Sequence, residues 1–217
     1  MSSLKIITMD GPAASGKSSV AKKVAAQLGW LYVNTGNMYR AATLAVINAG
    51  VEYKDENAVL ETFAGANFEV TVEQGRSVIL VDGKDLESEL NSEAVNLAVS
   101  HVAKLPQIRE RLVALQRDLG ATYPSVMEGR DIGTVVFPDA PYKFYIDASE
   151  EVRAQRRGLQ GQADSVKERD RMDSTRKTAP LMAASDAVLI DSSELSLEDV
   201  VSRVMEVLQQ RDLVPAA

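Results

Sequence analysis

Residues 11–18 combine residue types and a spacing that can bind phosphate. The segment reads Gly11-Pro12-Ala13-Ala14-Ser15-Gly16-Lys17-Ser18 and continues with Ser19, which fits G-x-x-x-x-G-K-[ST]. Its glycines let backbone N–H groups approach phosphate oxygens, and a helix that begins at its end adds partial positive charge. Lys17 can neutralise the β- and γ-phosphates of a nucleoside triphosphate, and the Ser18 hydroxyl can ligate Mg²⁺. The segment therefore predicts a triphosphate site that uses Mg²⁺.

The flanking sequence predicts the two elements that would position this loop. Residues 4–9 are mostly apolar and rich in isoleucine, which is typical of a strand buried on both faces. After the loop, Val20, Val24 and Leu28 recur at helical spacing, and Gly29 follows as a helix stop. Because strand, loop and helix stand in this order, phosphate binding is favoured over the alternative of a chance glycine-rich turn.

Further strands and helices alternate along the chain. Short apolar runs predict strands at 31–33, 125–127, 142–147 and 187–191. Helices are predicted to begin at Pro106, with Gly120 as the end of that helix, and after Ser149 and Ser196, which can act as N-caps. This alternation predicts an α/β fold with a parallel sheet and helices on both of its faces.

Residues 62–92 break the alternation. Residues 68–72 alternate between apolar and polar types, Gln74-Gly75 can form a turn, and a second strand-like run covers 77–81. The pattern predicts a small antiparallel insert. We expect the insert to shape a binding surface, with structural decoration as the alternative.

Two further segments should face the phosphate loop. Thr35–Arg40 follows the second predicted strand, and Glu128–Thr134 follows the third. In an open parallel sheet, ligands bind beyond the carboxyl ends of the strands, so these segments should border one cleft with the loop. Arg40 and Arg130 are then candidates for a phosphate clamp, because guanidinium donates paired hydrogen bonds to phosphate. The alternative for each arginine is an exposed salt bridge.

A basic segment lies late in the chain. Residues 151–177 hold eight basic and five acidic residues, although the whole chain has a net charge of −7. A glycine-containing break at 158–164 separates two basic stretches, as a lid that closes over a triphosphate would require. A lid over residues 153–171 is therefore predicted, with a solvated charged helix as the alternative.

Composition excludes several classes of function. The chain of 217 residues has no cysteine and one histidine, His101, which excludes disulfide scaffolds, thiol catalysis and metal sites that need two imidazoles. The acidic net charge disfavours nucleic acid and anionic membranes as partners. No signal-like or membrane-spanning stretch is visible, so we expect a cytoplasmic protein. No heptad seam is visible, and a monomer is the default expectation.

Several motifs together resemble the cytidylate kinase family in its bacterial form. They are GPAASGKSS, TGNMYR, EGRDIGTVVFPDA, RAQRR and KERDRMDSTRKTAPL, and the resemblance covers essentially the whole chain. It implies a P-loop NTPase fold with a five-stranded parallel sheet in a single domain over residues 1–217. It also implies that the insert at 62–92 binds the monophosphate and that ATP, with Mg²⁺, phosphorylates CMP and dCMP.

The resemblance also implies roles for individual residues. On the acceptor side, it implies that the cytosine or its phosphate side lies near Thr35, Ser100 and Arg109, and that the base also lies near Arg176. It implies that the phosphate is bound by Arg40 and Arg130. It implies that the sugar is held by Arg169 and Asp173. Arg153 and Arg157 are implied to contact ATP. Arg109 has the alternative of an exposed position on an amphipathic helix.

Three features depart from the family pattern. Thr35 stands where serine is common, and Glu128 stands where aspartate is usual, which lengthens its reach toward Mg²⁺-bound water. The linker from Gly158 to Val166 is shorter than expected for a lid.

Two other functions stay open at this stage. One is a shikimate-kinase-like enzyme that phosphorylates a hydroxyl, for which Asp131 could act as the base. The catalytic candidates are Lys17 and Arg130, which can stabilise the transferring phosphoryl group, and Asp131. The other is a nucleotide sensor without turnover, which would not require two arginine-bearing loops beside the phosphate loop.

Overall fold

The computed structural model describes residues 5–159, 166–176 and 178–213. Within these residues, strands and helices alternate along most of the chain. The strands are β1 (Ile6–Asp10), β2 (Leu31–Asn34), β3 (Phe68–Glu73), β4 (Arg76–Val81), β5 (Lys84–Asp85), β6 (Ser125–Gly129), β7 (Tyr142–Asp147) and β8 (Val188–Asp191). The helices are α1 (Lys17–Leu28), α2 (Thr35–Asn48), α3 (Glu56–Gly65), α4 (Glu93–Val102), α5 (Pro106–Thr122), α6 (Glu150–Leu159), α7 (Val166–Ser174) and α8 (Leu197–Gln210).

Five neighbouring parallel strands form the main part of the sheet, in the order β2-β6-β1-β7-β8, with β8 at one edge. The predicted class, a parallel sheet flanked by helices, is confirmed. Among the described residues the sheet has eight strands rather than five, because the strands of the predicted antiparallel insert, β3, β4 and β5, join the five parallel strands at the β2 edge. The connection is a parallel pairing of Tyr32 with Arg76, and the Tyr32 N–H donates to the Gly75 carbonyl at 2.9 Å. The antiparallel segment thus extends the sheet rather than forming a separate layer.

The two faces of the sheet are covered by different helices. On one face, α2, α3, α4 and α5 bury a core that includes Met38, Val99, Ile108 and Met127. On the other face, α1 and α8 pack against Val126 and Phe144. Because β1 and β6 are covered on both sides, all five residues of each strand are buried. This explains why their apolar residues stand next to one another, as Ile6 and Ile7 do, instead of alternating with polar ones.

Local sequence signals define several helix ends. Gly29 follows α1 in the left-handed region with φ of 65°. Ser196 and Asp199 form a reciprocal capping box at the start of α8, and Pro106 occupies the first turn of α5. The prediction that Gly120 ends α5 is wrong, because the helix continues to Thr122.

Gly120 has a packing role instead. A Cβ at this position would lie 2.5 Å from the Phe137 ring and 2.8 Å from Ile6 Cδ1. The glycine therefore allows α5 to approach the sheet and the segment after it closely.

Part of the predicted lid lies outside the described residues. The prediction covered 153–171, of which 160–165 are not described, and these also form most of the linker between Gly158 and Val166. The flanking parts are helical in α6 and α7. Among the described residues, no helix combines the length and the apolar character needed to cross a membrane.

We expect Gly120→Ala to lower the free energy of unfolding. The intrinsic gain from alanine in a helix is about 1 kcal/mol, whereas overpacking a close contact costs roughly 1–3 kcal/mol. Gly65→Ala is the matched control, since a Cβ there would meet nothing within 4 Å and only the helix gain should appear. Urea denaturation of both variants measures the difference, and a stabilised Gly120→Ala protein would contradict this interpretation.

Candidate active site

The carboxyl ends of β1, β2 and β6 border a cavity of about 710 Å³. Strand ends converge there because the strands are parallel and their connections return on the faces of the sheet. The predicted site residues that line it are Ala13, Ala14, Ser15, Gly16, Lys17, Ser18, Ser19, Thr35, Arg40, Ser100, Arg109, Arg130, Asp131, Arg157, Arg169, Asp173 and Arg176. Gly11, Pro12 and Arg153 do not line the cavity. Residues from distant parts of the chain are thus brought to one place.

The phosphate loop connects β1 to α1 through a sharply bent backbone. A Cβ on Gly11 would lie 2.0 Å from the Ile146 carbonyl oxygen, so only glycine fits there. Gly16 adopts φ of 89° immediately before α1. The Lys17 ammonium donates to the Pro12 carbonyl at 3.0 Å, across the loop. The loop therefore holds its lysine next to the start of the helix.

Lys17 carries an unusually weakly held proton. Burial, followed by the positive charges of Arg130 and Arg169, lowers the pKa of the Lys17 ammonium to about 7. Glu128 and Asp173 act in the opposite direction but do not compensate. The cavity thus concentrates positive charge around a group that a bound anion would stabilise in its protonated form.

Asp10 positions the segment after β6. Its two carboxylate oxygens accept hydrogen bonds from the Ile132 N–H at 2.8 Å and the Gly133 N–H at 2.7 Å. Burial raises the pKa of Asp10 to about 7, although both N–H donors oppose the shift. Sequence analysis missed this role, for which the only signal was an aspartate directly before the glycine-rich loop.

The start of α2 is fixed by side-chain contacts. The Asn34 side chain accepts a hydrogen bond from the Asn37 N–H and so caps the helix. The Thr35 hydroxyl donates to the Glu128 carbonyl at 2.8 Å. The Arg40 guanidinium donates to the Leu90 carbonyl at 2.8 Å, while its side chain also lines the cavity.

Asp173 holds two arginines from different elements. It accepts from Arg130 Nε at 2.9 Å and forms an ion pair with Arg176. The Ser100 hydroxyl lies 3.4 Å from the same carboxylate. Burial alone would raise the pKa of Asp173, but Arg130, Arg176 and Arg169 outweigh it, so the pKa lies below its usual range. One carboxylate therefore organises a cluster of guanidinium groups.

Arg109 and Asp131 form a second buried ion pair. Arg109 is 4% exposed, donates to the Ala103 carbonyl at 3.2 Å and lies 5.3 Å from the centre of the Tyr39 ring. The alternative of an exposed Arg109 is therefore wrong. Burial raises the pKa of Asp131, and neighbouring arginines oppose the shift. One Asp131 oxygen is occupied by Arg109, which makes this carboxylate a poor base for a hydroxyl acceptor.

The arginines of α6 reach the back of the phosphate loop. Arg153 donates to the Ala148 carbonyl at 2.9 Å and to the Ala13 carbonyl at 3.4 Å, and pairs with Asp170 of α7. Arg156, which sequence analysis did not select, donates to the Ala14 carbonyl at 3.5 Å and to the Ser192 carbonyl at 2.8 Å. The same helix thus supports the loop and lines the cavity through Arg157.

Carboxylates at the loop end of the cavity are few. Glu128 is 2% exposed and lines the cavity with Lys17 and Ser18. The described residues contain no group of three or more acidic, histidine or cysteine side chains that could enclose a metal ion. A divalent ion here would need ligand oxygens from a bound nucleotide.

Comparisons with known proteins agree on the family. The family model for cytidylate kinase matches residues 7–210. A protein of Rhodococcus opacus named cytidylate kinase is 44% identical over 218 aligned positions, which cover 95% of each chain. One of Geobacillus kaustophilus with the same name is 45% identical, over 94% of this chain and 96% of that protein.

A solved gluconokinase structure from Sinorhizobium meliloti shares the fold at a TM-score of 0.51 and 14% identity, over 94% of this chain and 91% of that one. This likeness supports only the α/β architecture, whereas the sequence matches extend over nearly the full chain. On that evidence, the chain belongs to the cytidylate kinase family.

Proposed function

We propose that this chain transfers the γ-phosphoryl group of ATP to CMP, and also to dCMP. The observation that carries the proposal is that the phosphate loop and a cluster of guanidinium groups line one cavity. Two anionic ligands can therefore meet end to end, each with its own cationic partners. Family membership supports cytidine monophosphate as the acceptor.

ATP would occupy the side formed by the loop and α1. Backbone N–H groups at the loop and the start of α1 suit its phosphates, and Lys17 supplies the mobile charge. Arg157 would reach the nucleotide from α6. Arg153, which points to the Ala13 carbonyl, would act by holding the loop rather than through direct contact.

CMP would occupy the opposite side, where the buried ion pairs lie. Arg40 and Arg130 would bind its phosphate, and Arg176 would add charge beside Asp173. Ser100 and Arg109 would read the cytosine edge, with Asp131 orienting Arg109 through their ion pair. Arg169 and Asp173 would hold the sugar. Thr35, the first residue of α2, would line the site beside the CMP.

Mg²⁺ fits this arrangement. Magnesium is commonly held by one or two protein oxygens together with substrate phosphates and water, rather than by a cage of side chains. The Ser18 hydroxyl is the protein ligand we propose, with Glu128 oriented toward metal-bound water. Once bound, the ion would neutralise charge on the phosphates.

The chemistry needs positioning more than proton transfer. The acceptor phosphate has a second pKa near 6, so its oxygen is largely ionised at neutral pH and needs no general base. The contribution of this chain is to hold Lys17 and Arg130 close to the transferring group and stabilise its charge. Closure of α6 and α7 over ATP, and of the insert at 62–92 over CMP, would keep water away.

The net charge of the chain agrees with an enzyme that acts on small nucleotides and is not bound to nucleic acid or to a membrane. The net charge of −7 disfavours nucleic acid and anionic membranes, and we propose a cytoplasmic monomer. A shikimate-type reaction is disfavoured because Asp131 is engaged by Arg109. A sensor is disfavoured because its single ligand would leave the arginines on the opposite side of the cavity unused.

Steady-state kinetics with ATP and a panel of acceptors tests the function. CMP and dCMP should be the best acceptors, ahead of UMP, AMP and shikimate. Calorimetry should give one site for ATP alone, one for CMP alone and two when both are present. Turnover of shikimate in preference to CMP would sink the proposal.

Nucleotide binding at pH 8 should take up a proton at Lys17. The pKa of about 7 leaves this ammonium largely neutral at pH 8, and the charge of bound ADP should raise that pKa. Calorimetry in two buffers of different ionisation enthalpy should show uptake of up to about one proton per ADP. Lys17→Arg is the control, because arginine stays charged and should take up none. Equal uptake by both proteins would contradict this assignment.

Arg109→Lys should reduce discrimination between CMP and UMP. Lysine keeps a positive charge beside Asp131 but loses the planar fork of donors, so the ratio of kcat/KM values should fall about 10-fold or more. Arg111→Lys is the control on the same helix, because Arg111 lies over the Phe63 and Phe68 rings instead. An unchanged ratio in Arg109→Lys would remove Arg109 from base recognition.

A further inference from the structure

Tyr32 belongs to β2 and is not among the residues that line the cavity. Its side chain borders a groove on the surface together with Trp30 and Tyr123, whereas the cavity is lined by its neighbours Asn34 and Thr35. Tyr32 therefore has no direct path to a nucleotide. Any effect it has on the site must pass through another side chain.

The pairing of β2 with β6 determines which side chain Tyr32 can reach. Asn34 is the register partner of Glu128, and Tyr32 is the partner of Val126. Because strand side chains alternate between faces, Tyr32, Asn34 and Glu128 share the face covered by α1. A tyrosine is long enough to extend along that face toward Glu128.

The contact is a directed hydrogen bond. The Tyr32 hydroxyl donates to Glu128 Oε1 at 3.1 Å and accepts from Asn34 Nδ2 at 3.4 Å. The Asn34 side chain is in turn held by the Asn37 N–H at the start of α2. The phenol is thus oriented from one side and directs its proton to the carboxylate on the other.

Glu128 needs such a partner. Its carboxylate is buried, and an ionised carboxylate out of water is costly unless it accepts hydrogen bonds or faces a cation. It lines the cavity at the end that holds Lys17 and Ser18. Mutation of a group that orients a carboxylate near a metal typically costs about 10–100-fold in metal affinity or activity.

We propose that Tyr32 is a positioning residue that holds the Glu128 carboxylate in place and so sets the affinity of the nucleotide-bound protein for Mg²⁺. The inference deepens the proposed function and rests on its assignment of ATP and Mg²⁺ to the loop side. Its action is indirect, because Tyr32 is not among the residues that line the cavity. Its hydroxyl contacts the Ser18 side chain as well as Glu128, and the Glu128 background used below separates the two routes.

Tyr32→Phe tests the proposal, since it removes only the hydroxyl and keeps the ring. Electron paramagnetic resonance of Mn²⁺ measures metal affinity in the presence of saturating ADP, and calorimetry measures ADP affinity without metal. We expect Mn²⁺ affinity to fall about 10-fold and metal-free ADP affinity to stay unchanged. Tyr142→Phe is the matched control, because this strand tyrosine donates to the Arg211 carbonyl at 3.4 Å and should leave both affinities unchanged.

A double-mutant cycle separates positioning from a general structural role. If Tyr32 acts through Glu128, Tyr32→Phe should add no loss of Mn²⁺ affinity in a Glu128→Gln background. Unchanged Mn²⁺ affinity in Tyr32→Phe, an equal loss of metal-free ADP affinity, or additive losses in the double variant would each overturn the proposal. No measurement here contains CMP, so failure of CMP phosphorylation would leave this result standing.

Discussion

The structure depends on holding several guanidinium groups together in a buried cavity before an anion arrives. The positive charges of neighbouring guanidinium groups repel one another, and burial removes the water that would screen this repulsion. Asp173 and Asp131 offset this repulsion by pairing with Arg130, Arg176 and Arg109. Burial, together with the positive charges of Arg130 and Arg169, still lowers the pKa of Lys17. A cavity left with excess positive charge is suited to bind two phosphate-bearing ligands.

The rest of the fold serves to keep these groups at fixed positions. The carboxyl ends of the parallel strands bring three segments together, and a hydrophobic core packs against each face of the sheet. Asp10 ties the end of β1 to the backbone after Arg130 and Asp131. The side chains of Arg153 and Arg156 link α6 to the carbonyls of the phosphate loop. Catalysis by positioning requires this kind of connection, because small displacements weaken electrostatic stabilisation.

The antiparallel segment shows how local pattern and tertiary context can differ. Its two strands and its turn were predictable from alternation and from Gln74-Gly75, which adopt positive φ values in the turn. Its attachment to the main sheet was not, because the Tyr32 and Arg76 pairing is non-local. Gly120 also shows this difference. A glycine at this place in the sequence predicts a helix end, but its role depends on close contacts with Phe137 and Ile6, which are distant in sequence.

By itself, the sequence determined the phosphate loop, the alternation that produces a parallel sheet, and the family, because these depend on short-range spacing and on motifs. It also identified Arg40, Arg109 and Arg130 as candidates. Only the tertiary structure decided which carboxylate each arginine meets, that Arg109 is buried, and that Asp10 and Tyr32 support neighbouring groups. Those contacts join residues as far apart as Asp10 and Gly133, and pairing over such separations depends on strand order and register, which no local pattern encodes.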